Sequence, residues 1–148
     1  MAGYWKKPEA TAETMKGGRF HTGDVGYLDE EGYLFIVDRI KDIIIASGYK
    51  IYPRHVEEAL YQHPKVAQAI VVGVADEYRG QTVKAYVQPA ADQQLTEKEL
   101  VDFLHDKLSP MERPRIIEFR PSLPMTPIGK PDKKALLAEE AQRSGKAA

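Results

Sequence analysis

The sequence predicts an α+β fold, a small mixed sheet with helices packed on it and a β-hairpin before it. From Ile43 onward, strand-like and helix-like patterns follow the order β, α, β, β, α, β, α, which is typical of a compact unit of this class. Before it, two β-rich runs flank an acidic turn closed by a glycine, which is typical of a hairpin. A charged stretch from Arg39 to Asp42 separates the two parts, so we expect domains over 1–40 and 41–148.

The first part contains two predicted elements. A short helix is favoured near "PEATAE", and the hairpin covers "VGYLDEEGYLFIV", Val25 to Val37. The remainder of this part is polar and has no clear apolar period, so we do not expect it to contribute a core.

The second part begins with Ile43 to Ile45, which predict a short buried strand that breaks at Ser47-Gly48. Pro53 suits the first turn of a helix, which His63-Pro64 ends. Three further strands are predicted at Val66–Ala75, Thr82–Gln88 and Arg115–Arg120.

Two more helices complete the second part. A capping box of Thr96 and Glu99 starts one of them. Asp132 caps the last, which should run to about Gln142. Four prolines and a glycine between Pro121 and Pro131 predict a loop before it.

Composition excludes several classes of function. The chain has 148 residues, 43% of them hydrophobic and 29% charged, and its formal net charge is −1 without a basic block, so nothing indicates nucleic-acid binding. No apolar run approaches the roughly 20 residues that cross a bilayer, and the N-terminus lacks the apolar core of a secretion signal. We therefore expect a cytoplasmic protein with no transmembrane segment.

Metal and thiol chemistry are not indicated either. The absence of cysteine removes disulfides, thiolate catalysis and cysteine-based zinc sites. The histidines show no metal-ligand spacing, because His55 and His63 could share a helical face only if the helix continued past Pro64. We predict no metal site.

Three stretches contain candidate functional residues. In "FHTGD", the carboxylate of Asp24 follows a glycine turn and could accept two hydrogen bonds from the vicinal diol of a ribose. The tripeptide Thr-Gly-Asp within this motif is, however, more often only a turn. In "DRIKDIIIASGYKIYP", Arg39 could donate to such a hydroxyl or to a phosphate, or form a surface ion pair. Gly48 could let a ligand approach the backbone, or satisfy a turn with positive φ.

The third stretch, "PMTPIGKPDKKAL", places Lys130 in a proline-stiffened loop. It is not a phosphate-binding Walker A loop, since the required glycine and Ser/Thr pattern is absent. A lone loop lysine is usually solvated, but a lysine that must reach a reacting phosphate also belongs on such a loop.

Taken in series, the motifs resemble a known family. "GYWKKPEATAE", "GRFHTGDVGYLDEEGYLFIVDRIKDIIIASGYKIYP", "VVGVADEYRGQTVKAYV" and "LPMTPIGKPDKKAL" follow each other as in acyl-CoA synthetases of the adenylate-forming superfamily, from Gly3 to about Leu137. Such enzymes have a large N-terminal domain and a small mobile C-terminal lid. The resemblance implies that 41–148 is the lid and that 1–40 is the last segment of the large domain, its main partner.

The resemblance also implies roles for individual residues. Asp24 matches the aspartate that holds the AMP ribose, and Arg39 matches the arginine that binds the same hydroxyls. Lys41 falls at the hinge of the lid, and Gly48 lies beside the pantetheine channel. Lys130 matches the lysine essential for adenylation.

The implied reaction joins a carboxylic acid, by family resemblance a fatty acid, to coenzyme A by way of acyl-AMP. ATP, coenzyme A and Mg²⁺ would serve the intact enzyme, and we expect none of them tightly bound to this chain alone. The chain by itself should be inactive. Its first part should either self-associate through apolar groups that have lost their partner surface or be disordered near its start.

Two departures and two alternatives remain open. His55 stands where the family commonly has an acid, and Glu112-Arg113 replace a lysine-containing segment, which puts a coenzyme A phosphate contact in doubt. The "GKPDKKAL" segment also resembles adenylation domains that load a carrier protein. The remaining alternative is a binding module without catalysis.

Overall fold

The computed structural model describes residues 1–145 and confirms the α+β fold. Contacts divide the chain into two compact units, the first being Met1–Lys41 and the second beginning at Asp42. Among the described helices, none has the length and hydrophobicity to cross a membrane.

The first unit consists of one short helix and two hairpins, namely α1 (Pro8–Thr14), β1 (Met15–Lys16), β2 (Arg19–Phe20), β3 (Asp24–Leu28) and β4 (Leu34–Arg39). The predicted helix and the predicted larger hairpin are both present. The β1–β2 hairpin was not expected; it turns on Gly17 and Gly18, whose φ angles of 59° and 72° suit a two-residue turn.

A 3₁₀ turn over Ile40–Asp42 leads into the second unit, which contains β5 (Ile44–Ala46), β6 (Tyr49–Ile51), α2 (Pro53–Tyr61), β7 (Val66–Asp76), β8 (Gly80–Pro89), α3 (Glu97–Leu104), β9 (Ile116–Phe119) and α4 (Lys133–Gly145). This is the predicted order with one added strand, β6. The sequence analysis ended the strand at Ser47-Gly48, but these residues have φ of 50° and 82° and return the chain antiparallel to β5.

The sheet of the second unit has the order β6-β5-β8-β7, with β9 parallel to β8 and the other pairs antiparallel. Helices α2 and α3 cover one face, where the core includes Val56, Leu60, Leu100 and Leu104. The other face packs on α4 through Ile70, Val72, Tyr86 and Leu136. Because both faces are covered, β7 is continuously buried over residues 69–72 and β8 over residues 82–87.

The helix ends follow the predicted signals. The hydroxyl of Thr96 accepts from the N–H of Glu99 at 3.2 Å, and the carboxylate of Asp132 accepts from the N–H of Ala135 at 3.1 Å. Helix α2 ends at Tyr61, before the proline that was expected to stop it, while α4 continues to Gly145 rather than Gln142.

Candidate functional site

In the first unit, the β3–β4 hairpin brings Asp24 and Arg39 together. The two residues are cross-strand partners, and Nε of Arg39 lies 3.5 Å from Oδ1 of Asp24. A bulge leaves Val37 without a partner in the ladder, since Val25 pairs with Asp38 and the next pair is Gly26 with Ile36. Without that extra residue, an acid instead of the arginine would stand opposite Asp24.

The surroundings of Asp24 hold its backbone. Its N–H donates to the hydroxyl of Thr22 at 3.1 Å, and the carbonyl of Gly23 accepts from the N–H of Ile40 at 2.8 Å. The side chains of Arg39 and Asp24 are 58% and 30% exposed, so their ion pair contributes little to stability. What remains is an accessible carboxylate beside an accessible guanidinium, which can together accept from and donate to hydroxyl groups.

Lys41 and Gly48 lie on opposite sides of the division between the units. Lys41 is exposed in the 3₁₀ turn that ends the first unit. Gly48 is at the tip of the β5–β6 hairpin, where its positive φ satisfies the turn, and apart from its chain neighbours no described atom lies within 4 Å of where its Cβ would be. The backbone at Gly48 is therefore open to approach.

In the second unit, Lys130 lies in a loop that folds back on itself. The N–H of Thr126 donates to the carbonyl of Lys130 at 2.7 Å, and the N–H of Lys130 donates to the hydroxyl of Thr126 at 3.1 Å. The N–H of Gly129 donates to the carbonyl of Thr126 at 2.9 Å. At the base of the loop, the N–H of Asp132 donates to the carbonyl of Pro124 at 2.9 Å.

The ammonium group of Lys130 is exposed and has no hydrogen bond or ion pair with any described residue. Lys133, three residues later, has a partner: its Nζ lies 2.9 Å from Oε1 of Glu57. The same Glu57 oxygen accepts from the N–H of Val71 at 2.8 Å, so the start of α4 is tied to the edge of β7. The fold thus holds the base of the loop and leaves Lys130 free to meet an anion.

A buried polar network fixes α4 on its face of the sheet. Nζ of Lys84, whose side chain is 7% exposed, lies 2.8 Å from both Glu118 Oε2 and Glu140 Oε1. The hydroxyl of Tyr86 donates to the same Glu140 oxygen at 2.6 Å, and Arg143 pairs with Glu118 at 2.9 Å. These contacts join β8, β9 and α4.

The network shifts the pKa values of its members. Burial acts to raise the pKa of Glu118, but hydrogen bonds from Arg143, Lys84 and Arg120 lower that pKa to about 2. Burial and the hydrogen bond to Glu140 raise the pKa of the Tyr86 hydroxyl to about 12. The carboxylates therefore remain charged at neutral pH and stabilise the position of α4.

The two departures noted in the sequence are in contact. Nδ1 of His55, in the first turn of α2, lies 2.9 Å from Oε1 of Glu112, and Oε2 of Glu112 accepts from the N–H and hydroxyl of Ser109. Glu112 thereby supplies, from another loop, the negative charge that a helix N-terminus favours.

The structure brings only some of the predicted site residues together. Asp24 and Arg39 are paired, whereas Gly48 and Lys130 occupy separate turns of the second unit and do not touch. Within the described part of the chain, no group of three His, Asp or Glu side chains is arranged to hold a metal ion.

Comparison with known proteins decides the family. A family model described as "AMP-binding enzyme C-terminal domain" matches residues 55–130, just over half of the chain. The chain belongs to this family. In this AMP-binding C-terminal domain, the matched segment runs from the start of α2 to Lys130.

The similar proteins are ligases and synthetases. A long-chain-fatty-acid–CoA ligase of Bacillus subtilis (strain 168) is 50% identical over 142 residues, which are 96% of this chain and 25% of that protein. A fatty acid–[acyl-carrier-protein] ligase of Streptomyces coeruleorubidus is 47% identical over 130 residues, 88% of this chain and 25% of that protein. The AMP-binding C-terminal domain thus spans about a quarter of the length of these relatives.

A solved structure agrees with the fold. The amide bond synthetase McbA from Marinactinospora thermotolerans superposes with a TM-score of 0.85 at 44% identity, over 94% of this chain and 29% of that one. The names of these three proteins differ, mentioning coenzyme A, an acyl-carrier protein and an amide bond.

Sequence reasoning missed three features around the site of this AMP-binding C-terminal domain: the contacts of Thr126 with Lys130, the Glu57–Lys133 link and the Lys84 network. Only the last had a visible signal, because a lysine in the middle of the apolar strand "TVKAYV" demands a buried partner.

Proposed function

We propose that this chain is the mobile C-terminal lid of an acyl-CoA synthetase that activates a carboxylic acid, specifically a fatty acid, with ATP. The observation that carries the proposal is the ammonium of Lys130, which is exposed on a hydrogen-bonded loop and has no partner among residues 1–145. The 50% identity with the Bacillus subtilis ligase supports the choice of substrate. Acting alone, without the other three-quarters of such an enzyme, the chain is inactive.

In the first half-reaction, a carboxylate oxygen of the acid attacks the α-phosphorus of ATP. The new O–P bond forms as the bond to pyrophosphate breaks, giving acyl-AMP. Negative charge builds up around the α-phosphate, and Lys130 stabilises it from the exposed end of its loop. Asp24 accepts from the ribose hydroxyls while Arg39 donates to them. Mg²⁺ held by the phosphates of ATP would help to neutralise their charge, whereas among the described residues of this chain it is Lys130 that would do so.

In the second half-reaction, the thiol of coenzyme A attacks the acyl carbon of acyl-AMP. The C–S bond forms as the C–O bond to AMP breaks, AMP leaves, and the thiol proton is released. Lys130 has no role in this step. The lid swings about Lys41, so that the open backbone at Gly48 lines the channel for the pantetheine arm. Two chemistries thus use two faces of one lid.

A carrier protein is the second candidate for the acceptor. The Streptomyces relative, by its name, acts with an acyl-carrier protein, and it is 47% identical over 88% of this chain. A phosphopantetheine arm has the same thiol as coenzyme A, so the role of Gly48 would be unchanged.

The two half-reactions should be tested separately in a complete enzyme. This is the product of the full open reading frame that contains the sequence, or the Bacillus subtilis ligase with its matching 142 residues replaced by this chain. Lys130→Ala should slow acyl-AMP formation by about 10²–10³ and leave thioester formation from supplied acyl-AMP nearly unchanged. Gly48→Leu and Lys41→Pro should do the reverse.

Because Gly48 has φ of 82°, leucine there also strains the turn. Gly48→Asn is the matched control, since asparagine tolerates this conformation with a smaller side chain. If Lys130→Ala damages both half-reactions equally, the proposed role of the lysine is wrong. Pyrophosphate release by this chain alone would refute the proposal that it is only a lid.

A further inference from the structure

Both backbone polar groups of Lys130 are bound by one residue, Thr126. The carbonyl of Lys130 accepts from the N–H of Thr126 at 2.7 Å, and the N–H of Lys130 donates to the Thr126 hydroxyl at 3.1 Å. No other side chain among residues 1–145 donates to or accepts from the backbone of Lys130. Lys130 is thus attached to the fold through Thr126, while its own side chain is exposed.

The hydroxyl restrains the Gly129–Lys130 peptide plane, while backbone hydrogen bonds of Thr126 hold the Gly129 N–H and the Lys130 carbonyl on either side of it. Gly129 precedes Lys130 with φ of 73°, and no described atom beyond its neighbours lies within 4 Å of its Cβ position. Gly129 therefore has no Cβ contact that would limit rotation of the Gly129–Lys130 peptide plane. The N–H of this plane donates to the Thr126 hydroxyl, so losing that acceptor would let the plane turn and redirect the Lys130 side chain.

We propose that the hydroxyl of Thr126 is a positioning group that aims Lys130 at the α-phosphate by holding the Gly129–Lys130 peptide plane. This inference rests on the proposed function, in which Lys130 stabilises charge during adenylation. Thr126 touches no substrate; it acts through the lysine. The cost of losing it should appear in the rate of the chemical step rather than in substrate binding.

Two variants of the complete enzyme separate the hydroxyl from the bulk of the side chain. Thr126→Val keeps the shape and removes the acceptor, whereas Thr126→Ser keeps the acceptor and removes a methyl group. Thr126→Val should lower kcat of acyl-AMP formation about 5- to 50-fold with KM for ATP and acid nearly unchanged. Thr126→Ser should stay within about 2-fold of the parent, and neither should slow thioester formation from supplied acyl-AMP.

A double-mutant cycle tests whether the effect passes through Lys130. In the Lys130→Ala background, adding Thr126→Val should slow adenylation no further than about 2-fold. A readout without catalysis is the hydrogen exchange of the Lys130 amide, measured by mass spectrometry on the complete enzyme. Exchange should accelerate in Thr126→Val and remain slow in Thr126→Ser.

Different failures have different meanings. If Lys130→Ala leaves adenylation intact, the proposed function fails and the role of Thr126 falls with it. If Lys130→Ala abolishes adenylation but Thr126→Val does not slow it, only the positioning role is overturned. Equal losses in the valine and serine variants, or additive losses in the Lys130→Ala background, would also overturn it, because the hydroxyl would then not act through the lysine.

Discussion

The two units of this chain differ in what they bury. In the first, all of whose residues are described, no hydrophobic side chain is fully buried, and the three consecutive residues Leu34, Phe35 and Ile36 are 64%, 46% and 48% exposed. In the second, two clusters of buried side chains occupy both faces of one sheet, and Leu60, Tyr86 and Leu136 have no exposure at all.

This difference shows which part is structurally complete. Successive residues of a strand point to opposite faces, so exposure of three in a row means that neither face of the β3–β4 hairpin is covered within the first unit. An isolated hairpin is marginal in water. The second unit, by contrast, buries a core of its own, which the proposed movement of a lid as one body would require.

The largest expected change in the free energy of unfolding comes from truncating a core leucine, and an exposed leucine provides the comparison. Leu136→Ala in α4 removes a fully buried side chain and should lower the free energy of unfolding by about 2–5 kcal/mol. Leu34→Ala in the hairpin, the matched control, should change it by less than about 0.5 kcal/mol. Urea unfolding followed by circular dichroism measures both. Equal losses would mean that the hairpin shares the core of the second unit.

The next effect is electrostatic. The pKa of Glu118 is lowered to about 2 in the folded protein from an ordinary 4.5, so its stabilisation is complete above about pH 4.5 and disappears as pH falls toward 2. Glu118→Gln should therefore lower the free energy of unfolding of the second unit by about 1–3 kcal/mol at pH 7. Near pH 2, where Glu118 loses its charge, the variant and the parent should have nearly equal free energies of unfolding.

Glu30→Gln is the control in the first unit, because Glu30 is an exposed turn residue with no ion pair among the described contacts. Its difference from the parent should be near zero at every pH. If Glu118→Gln still has a lower free energy of unfolding than the parent at pH 2, Glu118 does not stabilise α4 through its charge.

The sequence predicted the elements of both units better than their arrangement. The signals at Pro53, Thr96 and Asp132 are local, since each acts within one helical turn, and all three helices start there. Periodicity indicates that a helix has an apolar face but not which side of the sheet it covers, so the position of α4 opposite α2 could not be predicted.

The prediction of the candidate site had the same limit, because residues could be named from the sequence but their contacts could not. Resemblance implied that Asp24 and Arg39 serve the same ribose hydroxyls, but their cross-strand pairing depends on the bulge at Val37, which nothing in the local sequence indicates. The contacts of Thr126 are local yet equally hidden, because a threonine four residues before a lysine is compatible with many loop conformations.

The smallest expected effect on stability comes from removing the first unit. Deleting residues 1–41 should change the free energy of unfolding of the remaining chain by less than about 1 kcal/mol, because that part contributes no buried hydrophobic side chain. Its effect on association should be much larger. Tyr27 and Phe35 stack at 5.2 Å between ring centroids on an exposed surface, and such apolar groups favour contact between copies.

Sedimentation velocity over a range of concentrations distinguishes these expectations. The parent chain should self-associate with increasing concentration, the deletion should remain monomeric, and Phe35→Glu should move the parent toward the monomer without lowering its melting temperature. Phe35 lies on a strand with no core around it, so a charge there costs little in folding and repels a second copy. A strictly monomeric parent would show that the exposed hairpin needs no partner surface.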